Sequence, residues 1–417
     1  MGEEVFMAAP EDVDPEENIV SLYYVESPLG LWRAGVEIAK EESIGTWTEL
    51  TTITRRVQER LAARVFRVDG DKRLVWVAYP LELFDLECGG IPNLLSIVAG
   101  NLFGLSALEN VRLLDIQVPR GAARFFPGPK FGVDGVRAIV GTRPGVPHLG
   151  TIIKPKVGLN PKETAQVAYE AAVGGVDFVK DDETLVNQRF CPLGERVSRV
   201  MEALDRAREE TGRRVLYAVN ITANHQQVLE LADLALENGA NMLMVDVLTA
   251  GFPAVQVLAE DPSVDVPLHI HRAMHAAMTR NPRHGIHMAV IAKLVRLAGG
   301  DQLHTGTAAG KMEKEAEEVR KINDFLRAEW HGLKTVFPVA SGGIHPGIVD
   351  ENLKALGFDI VINAGGGIHG HPMGVRAGAT AMRQAIEAAL EGVPVEEYAK
   401  THVELRVALE KWGRKFS

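Results

Sequence analysis

Cysteines and long apolar runs are scarce in this sequence. Its 417 residues include only two cysteines, Cys88 and Cys191, which are too few for a disulfide framework and do not stand at a metal-ligand spacing. No uncharged apolar run approaches the ~18 residues of a transmembrane helix, and the acidic N-terminal stretch lacks the apolar segment of a secretory signal. We therefore expect a cytoplasmic protein in a reducing compartment, with no membrane partner.

The sequence also lacks a block of basic residues. Its 45 Lys and Arg residues are outnumbered by 55 Asp and Glu residues, which gives a net charge of −10. This balance argues against nucleic acid as the main partner. It does not exclude small anionic ligands, because these respond to local charge.

Residues 1–127 have the pattern of a small α+β domain. A strand is predicted over residues 19–25 and a helix over residues 29–42. The β-rich runs RVFRV and RLVWVAY flank Asp69, Gly70 and Asp71, which predicts a hairpin, and VRLLDIQVP predicts a further strand. The run FPGP breaks this pattern, and we place a domain boundary there, between residues 1–127 and 128–417.

From about residue 148, short apolar runs alternate with helical stretches eight times. The predicted strands are GTIIKPK, VDFVKDD, VLYAVNITA, MLMVDVLTAG, PLHIHRA, QLHTG, VFPVASGG and IVINAGGG. Strands that alternate with helices indicate a parallel sheet, and eight such units predict a (β/α)8 TIM barrel. Asn160, Pro161 and Glu163 have the spacing of a capping box that begins the first of these helices.

Barrel enzymes carry their catalytic groups at the carboxyl ends of the strands, and here six such ends are polar or glycine-rich. They contain Lys154 and Lys156, Lys180 to Glu183, His269 to Arg272, His304, Ser341 to Gly343, and Gly365 to Gly367. One charged end alone is equally typical of a solvated loop. Six at one end of a barrel favour an active site.

The run Lys180, Asp181, Asp182, Glu183 has two interpretations. Two carboxylates beside a lysine usually form a salt-bridged patch. Mg2+, however, prefers oxygen ligands, and Asp182 and Glu183 could supply two of them. A lysine that burial keeps neutral could react with CO2, and the resulting carbamate would be a further anionic oxygen ligand.

The two glycine clusters end the seventh and eighth predicted strands. Barrels often bind phosphate at this place through backbone N–H groups, and Gly342, Gly343, Gly365 and Gly366 would let the backbone approach it closely. The alternative is that these are tight turns that need positive φ angles. Arg272 and His304 lie on the fifth and sixth predicted strands and could hold a second phosphate, which suggests a substrate with phosphates at both ends.

Lys311 follows a run of small residues, TGTAAG, after the sixth strand. Such a loop could bring Lys311 to a ligand, although an ordinary βα loop with a surface lysine has the same pattern. The histidines outside the strand ends have no clear metal spacing, and we interpret them as structural or solvent-facing.

These motifs resemble, in order, those of the large subunit of rubisco, ribulose-1,5-bisphosphate carboxylase/oxygenase, over nearly the whole chain. The segments that carry the resemblance are EESIGTWT, SIVAGNLFG, GTIIKPKVGL, GGVDFVKDDE, HRAMHA, GDQLHTGTAAGK, PVASGGIHPG and AGGGIHGHPMG. HRAMHAAMTRNPRHGI and GTAAGKMEKE are most similar to the archaeal form III type. The resemblance implies Mg2+-dependent enolisation of ribulose-1,5-bisphosphate, addition of CO2 and cleavage to two 3-phosphoglycerates, with O2 as a competing substrate.

The resemblance also implies roles for single residues in the chemistry. Lys180 would be carbamylated by an activator CO2, would bind Mg2+ with Asp182 and Glu183, and would remove the C3 proton. Lys154 would handle protons of the intermediate and product. The remaining catalytic residues would be Lys156 and His271, which assist enolisation and hydration, and Lys311, which stabilises the nascent carboxylate.

Further residues would bind the substrate. Arg272 and His304 would hold one phosphate, and Ser341 a substrate hydroxyl. The other phosphate would be bound by Thr46, Trp47, Gly342, Gly343, Gly365 and Gly366. Glu41 and Asn101 would come from a neighbouring subunit, so a homodimer is the expected minimum assembly. The short C-terminus suggests no small subunit, and the form III resemblance suggests a host pathway of AMP or nucleotide salvage.

Three alternatives remain at this point. A rubisco-like protein would act as an enolase or isomerase on a methionine-salvage phosphosugar analogue, but such relatives typically lose some of the lysine, asparagine and phosphate-site residues that are present here. A non-catalytic phosphosugar-binding scaffold would not need three active-site lysines and a metal cluster. An aldolase-type barrel would use a Schiff-base lysine without a metal.

Overall fold

The computed structural model describes residues 2–310 and 316–415. It divides the chain into two compact units, one of residues 1–127 with 274–298 and the other of residues 128–273 with 299–417. The boundary predicted from the sequence places residues 274–298 in the barrel domain, so the two divisions differ in that segment. The domain assignment itself stays a prediction.

The described residues form strands and helices, which we number in chain order. The strands are β1 (Asn18–Glu26), β2 (Arg64–Asp69), β3 (Leu74–Pro80), β4 (Asn110–Gln117), β5 (His148–Ile152), β6 (Phe178–Lys180), β7 (Leu216–Asn220), β8 (Met242–Asp246), β9 (Leu268–His271), β10 (Gly285–Ile286), β11 (Gln302–His304), β12 (Phe337–Ser341) and β13 (Val361–Asn363). The first nine helices are α1 (Leu31–Glu41), α2 (Arg55–Leu61), α3 (Gly90–Val98), α4 (Arg120–Ala123), α5 (Gly132–Val140), α6 (Pro161–Val173), α7 (Leu193–Thr211), α8 (His225–Glu237) and α9 (Val247–Ala250). The others are α10 (Phe252–Glu260), α11 (Ala276–Thr279), α12 (Met288–Ala298), α13 (Ala316–Arg327), α14 (Val349–Leu356), α15 (Gly366–His369), α16 (Val375–Glu391), α17 (Val395–Tyr398) and α18 (Val403–Trp412). Short 3-10 segments lie at Glu3–Phe6, Pro10–Asp12, Leu81–Leu83, Leu102–Gly104 and Pro346–Ile348.

The first unit contains a five-stranded sheet in the order β10, β4, β1, β3, β2. β1 is antiparallel to both β3 and β4, and β2 is antiparallel to β3. The predicted hairpin is confirmed, because Asp69 pairs with Leu74. β10 pairs in parallel with β4, which explains why residues 274–298 belong to this unit. A strand of two residues has no periodicity that a sequence pattern could reveal.

Helix α1 packs its apolar side against this sheet. Ala34, Ile38 and Ala39 are fully buried, and Gly35 allows a close approach, since a Cβ there would lie 2.7 Å from Val65 Cγ2. The helix ends at Glu41, which is one of the predicted site residues. The packing of the helix therefore also fixes the backbone position of Glu41.

The second unit is a closed barrel of eight parallel strands, in the order β11, β12, β13, β5, β6, β7, β8, β9. The barrel closes where β13 pairs with β5, with Val361 opposite His148. This confirms the predicted TIM barrel, and each of the eight predicted strands contains or overlaps a strand of the barrel. No helix among the described residues combines the length and apolarity that a membrane span requires.

Helix α6 begins as its sequence predicts. The backbone N–H of Glu163 donates to Asn160 Oδ1 at 3.0 Å, and the backbone N–H of Asn160 donates to Glu163 Oε2 at 2.9 Å. This capping box satisfies two N–H groups that have no partner inside the helix, and it fixes the point at which the chain turns back after β5.

The amino end of the barrel is filled by an apolar cluster. Its buried members are Val133, Val136, Phe178, Leu216, Ala218, Met242, Met244, Phe337, Val339 and Val361. Several of these are the first residues of their strands, and Val133 and Val136 come from α5. This cluster leaves the polar groups to the opposite, carboxyl end of the strands.

Phe178 tests the contribution of this cluster to stability. It is fully buried, so Phe178→Ala is expected to lower the free energy of unfolding by about 3–5 kcal/mol through lost burial and a residual cavity. Phe190, which is 45% exposed, is the matched control, and Phe190→Ala should cost about 0.5 kcal/mol or less. Urea denaturation followed by circular dichroism measures both, and equal losses would contradict the prediction.

His148 makes part of the stability depend on pH. It is fully buried at the start of β5, and burial lowers the pKa of its imidazole from 6.5 to about 4. Between these two pH values the unfolded chain binds a proton that the folded chain does not, so this contribution to stability is present above pH 6.5 and is lost as pH falls toward 4. The stability difference between wild type and His148→Gln should therefore shrink from pH 7 to pH 5 in urea titrations. A difference that does not change with pH would refute this.

Candidate active site

The carboxyl ends of the barrel strands carry a ring of polar side chains. Because the strands are parallel and the barrel is closed, these ends lie on one side of the barrel. The last residues of the successive strands include Lys180, Asn220, Asp246, His271, His304, Ser341 and Asn363, and Lys154 follows β5. The side chains named from the six predicted strand ends are therefore on a common face.

Three lysines surround two carboxylates in this ring. Lys154 Nζ lies 2.7 Å from Asp182 Oδ2, and Lys156 Nζ lies 4.0 Å from Glu183 Oε1. Lys180 Nζ lies 3.8 Å from the other oxygen of Glu183, Oε2. The structure thus brings together five of the six charged side chains that the sequence singled out at the ends of the first two strands, all but Asp181.

Lys180 is the buried member of this cluster. Its side chain is 1% exposed, and its Nζ donates to the backbone oxygen of Asp181 at 2.7 Å. Burial lowers the pKa of the Lys180 amine, although the negative charges of Glu183 and Asp182 oppose this shift. The environment therefore favours the neutral amine more than water does.

The two carboxylates are held in their charged forms. Burial raises the pKa of Asp182, but the hydrogen bonds from Lys154 and Thr184 and the charge of Lys154 together outweigh it, and the net shift is downward. The same holds for Glu183, where burial is opposed by the charge of Lys180 and the pKa is again lowered. Both side chains are therefore anionic acceptors at neutral pH.

Asp181, between Lys180 and Asp182, has a structural role instead. It faces away from the cluster and accepts hydrogen bonds from Tyr217 Oη at 2.6 Å, Arg196 Nη2 at 3.1 Å and the backbone N–H of Asn220 at 3.0 Å. Asn220 Nδ2 in turn donates to the backbone oxygen of Glu183 at 3.1 Å. This buried network fixes the backbone that presents the two site carboxylates.

Arg196 tests this network. Arg196 and Asp181 are both fully buried, so Arg196→Met is expected to destabilise the protein by about 3–5 kcal/mol because it leaves a buried carboxylate without its charged partner. Arg199, on the same helix α7, forms an exposed ion pair with Glu195, and Arg199→Met should cost about 1 kcal/mol or less. Thermal unfolding of the two variants measures the difference, and similar shifts would contradict the proposed importance of the buried pair.

Three buried side chains and the half-buried Ser341 form a hydrogen-bonded chain across β9, β11 and β12. Gln302 Oε1 lies 2.8 Å from His269 Nδ1, and His269 Nε2 lies 2.8 Å from His304 Nε2. His304 Nδ1 lies 2.6 Å from Ser341 Oγ. Burial lowers the pKa of both imidazoles well below 6.5, so both rings are neutral.

A neutral imidazole has one donor and one acceptor nitrogen. In the observed orientation Gln302 accepts from His269, which then accepts from His304, which accepts from the Ser341 hydroxyl. The direction of the Ser341 hydroxyl is therefore tied to the amide of Gln302, three side chains away.

His271 is held by a carboxylate on the neighbouring strand. Its Nδ1 lies 2.6 Å from Asp246 Oδ1, and its Nε2 lies 3.8 Å from Glu183 Oε2. Asp246 therefore orients the imidazole toward the lysine–carboxylate cluster, a role that the sequence analysis missed. The same criterion that selected the other strand ends, applied to the third and fourth strands, would have found Asn220 and Asp246.

Arg272 lies next to a turn that requires glycine. Gly306 has a φ angle of +118°, and a Cβ there would lie 3.1 Å from Arg272 Nη2. Burial lowers the pKa of Arg272 to about 10, so its guanidinium stays charged at neutral pH and can bind an anion.

The two glycine clusters differ in their backbone conformation. Gly342 and Gly343 have φ angles of +120° and +81°, so their turn needs glycine whether or not a ligand binds. Gly365 has a φ angle of −89°, and a Cβ there would lie 3.2 Å from Lys154 Cε. Gly366 would have no atom within 4 Å of its Cβ, which leaves the backbone at the start of α15 open to approach.

The four site residues predicted from the N-terminal region lie in the first unit. Asn101 Nδ2 donates to Glu41 Oε1 at 3.4 Å, so these two side chains are brought together. Trp47 is 86% exposed, and Thr46 precedes it in a segment without regular structure. Lys311 lies outside the described residues.

Among the described residues, no group of three or more His, Cys, Asp or Glu side chains is placed to hold a metal ion. Asp182 and Glu183 supply two oxygen donors side by side. A divalent cation at this place would need a further ligand, and the buried amine of Lys180 lies 3.8 Å from Glu183 Oε2.

A closed parallel barrel with lysines, carboxylates and histidines at the carboxyl ends of its strands defines the class of TIM-barrel enzymes. Two family models match the chain and together span most of it. The model described as "Ribulose bisphosphate carboxylase large chain, catalytic domain" matches residues 132–412, and the N-terminal domain model of the same large chain matches residues 10–121. The chain belongs to the ribulose bisphosphate carboxylase large-chain family.

Archaeal relatives give the same result. The ribulose bisphosphate carboxylase of Pyrococcus furiosus is 46% identical over 401 residues, which cover 95% of this chain and 94% of the relative. That of Methanosarcina mazei is 43% identical over 418 residues, covering 96% and 97%.

Solved structures agree. The octameric rubisco of Pyrococcus horikoshii OT3, in complex with a sulfate ion, aligns with a TM-score of 0.93 at 42% identity and covers 100% of this chain and 98% of that chain. The dimeric rubisco of Hyperthermus butylicus aligns with a TM-score of 0.90 at 41% identity, covering 99% and 100%. The resemblance stated from the sequence motifs is thereby confirmed.

Proposed function

We propose that this chain is a ribulose bisphosphate carboxylase. It enolises ribulose-1,5-bisphosphate, adds CO2 and cleaves the product to two 3-phosphoglycerates, and O2 competes with CO2. The observation that carries the proposal is the meeting of Lys154, Lys180, Asp182, Glu183 and His271 at one end of a barrel of this family. Enolisation needs a base, a proton donor and a cation at one carbon centre, and these residue types can supply all three.

Mg2+ is the proposed metal, held by Asp182, Glu183 and a carbamate of Lys180. The donor set fits, because Lys180 is buried, its pKa is lowered, and its Nζ lies 3.8 Å from Glu183. Its neutral amine would form a bond to the carbon of CO2 and release a proton, which gives an anionic oxygen ligand. When bound, Mg2+ would stabilise the negative charge that develops on adjacent substrate oxygens.

The proton transfers fall to residues of the chain. The carbamate of Lys180 would remove the C3 proton, and Lys154, which donates to Asp182, would handle protons of the intermediate and product. His271, oriented by Asp246, and Lys156 would assist enolisation and hydration. Lys311 would stabilise the nascent carboxylate.

The substrate phosphates would be bound at two places. Arg272 and His304 would hold one, which is supported by the retained charge of Arg272, and Ser341 would hold a substrate hydroxyl. The open backbone at Gly365 and Gly366, together with the turn at Gly342 and Gly343 and with Thr46 and Trp47, would bind the other.

Glu41 and Asn101 would act in the site of a neighbouring subunit, so a homodimer or an assembly of dimers is proposed. The Pyrococcus horikoshii and Hyperthermus butylicus structures are described as octameric and dimeric. A cytoplasmic location and a part in nucleotide salvage remain proposals, the first based on the composition and the second on the form III resemblance.

Fixation of labelled bicarbonate tests the proposal. The protein is preincubated with Mg2+ and CO2, then given ribulose-1,5-bisphosphate, and acid-stable label is measured. Wild type should place label in 3-phosphoglycerate, while Lys180→Ala and Lys311→Ala should lose at least about 100-fold in rate, since each removes a group that acts on the reacting atoms. Removal of Mg2+ with a chelator before substrate should abolish the activity.

Lys162→Ala is the matched control, because Lys162 is an exposed lysine on helix α6 and its loss should leave the rate unchanged. Absence of label from folded, metal-loaded wild type would refute the carboxylase proposal. Turnover of 2,3-diketo-5-methylthiopentyl-1-phosphate by the same preparation would then identify a rubisco-like enolase.

A further inference from the structure

The side chain of Asn352 forms hydrogen bonds with the backbone of the segment that follows β11. The N–H groups of Ala308 and Ala309 donate to Asn352 Oδ1 at 2.9 and 3.2 Å. Asn352 Nδ2 donates to the backbone oxygens of Ala309 at 2.8 Å and Ile348 at 3.0 Å. The side chain is fully buried in α14, and its oxygen and both hydrogens of its amide are used.

An asparagine inside a helix is not explained by the helix itself. Asparagine is among the poorer helix formers, because its amide competes with the backbone for hydrogen bonds, and a buried amide is unfavourable unless it has partners. Three of the four hydrogen bonds of Asn352 go to Ala308 and Ala309, outside its own helix. These bonds therefore account for the presence of a polar side chain at this buried position.

The segment of residues 305–310, to which Asn352 bonds, borders the proposed active site on two sides. Gly306 lies next to the guanidinium of Arg272, and a Cβ on Gly310 would clash with the backbone oxygen of Gly342. At its start, the backbone N–H of Thr305 donates to Val339 O at 3.0 Å. The path from β11 to residue 310 is thus fixed at its start by β12 and in its middle by Asn352.

We propose that Asn352 is a positioning residue that fixes the peptide Ala308–Ala309 and so sets the point from which the chain continues to Lys311. The proposal rests on the carboxylase function and on the role of Lys311 in it. Asn352 itself touches neither substrate nor metal, since its partners are backbone groups. Its effect should fall on the step assigned to Lys311, the stabilisation of the nascent carboxylate, which follows removal of the C3 proton.

The test compares Asn352→Leu with Asn323→Leu. Asn323 in α13 is also fully buried, but neither polar atom of its side chain has a hydrogen-bond partner among the described residues. The two variants therefore remove the same group from equally buried positions, and only Asn352→Leu removes hydrogen bonds to the 308–309 peptide. Thermal unfolding of both confirms that the proteins compared are folded.

Three readouts separate positioning from general damage. In Asn352→Leu, carboxylation at saturating substrate should fall by about tenfold or more, while exchange of the C3 proton with solvent should stay within about twofold of wild type. Hydrogen–deuterium exchange of the backbone amides of residues 305–310 should become faster. Asn323→Leu should behave as wild type in all three measurements.

Unchanged amide exchange in Asn352→Leu, or an unchanged carboxylation rate, would overturn the proposal. So would a parallel loss of proton exchange and carboxylation, or an equal loss in Asn323→Leu, because each points to a general packing defect. If wild type itself fixes no CO2, the carboxylase function has failed, and the amide exchange of residues 305–310 still decides whether Asn352 holds the segment.

Discussion

Closure of the barrel is the constraint on which the site depends. Pairing of β13 with β5 completes a ring of eight parallel strands, and a parallel ring has all its carboxyl ends on one side. Side chains that are distant in the chain then become neighbours, as with Lys154 and Asp182 at 2.7 Å or His304 and Ser341 at 2.6 Å. The chemistry proposed for this end requires groups from several strands, and barrel closure supplies them together.

The two ends of the barrel separate stability from function. The amino end is filled by apolar side chains such as Phe178 and Phe337, whose burial stabilises the fold. The carboxyl end buries polar groups instead, including Lys180, Asp181 and His304. Burial of such groups adds little to stability even when they are paired, so their concentration at one end is better explained by a site than by the needs of folding.

Much of this arrangement could be predicted from the sequence, because it depends on local patterns. The eight strands follow from apolar runs between helical stretches, and the capping box at Asn160 follows from spacing. The Lys180 to Glu183 run and the glycine clusters stand out for the same reason, since each is contiguous in the chain. The motifs then identified the family, which the comparisons confirm.

What could not be predicted are pairings made only in three dimensions. Nothing local reveals that Asp181 bonds to Tyr217 and Arg196 while Asp182 bonds to Lys154. The link from Gln302 to Ser341 runs through two histidines on different strands. The short strand β10 is defined only by its pairing with β4. The barrel strands are shorter than the predicted runs, because the residues that end each run lie outside the hydrogen-bonded part of the sheet.

The charges of the cluster bear on how the carbamate proposed at Lys180 and the binding of a divalent cation depend on each other. If all three lysines were charged, their positive charge would exceed the negative charge of Asp182 and Glu183, and a divalent cation would be repelled. Burial of Lys180 shifts the equilibrium of its amine toward the neutral form, which lessens the positive charge beside the two carboxylates. Carbamate formation would then add one negative charge at a buried position where it cannot be screened by water. CO2 would therefore have to react with Lys180 before a divalent cation binds well, and the burial of that one amine couples the two events.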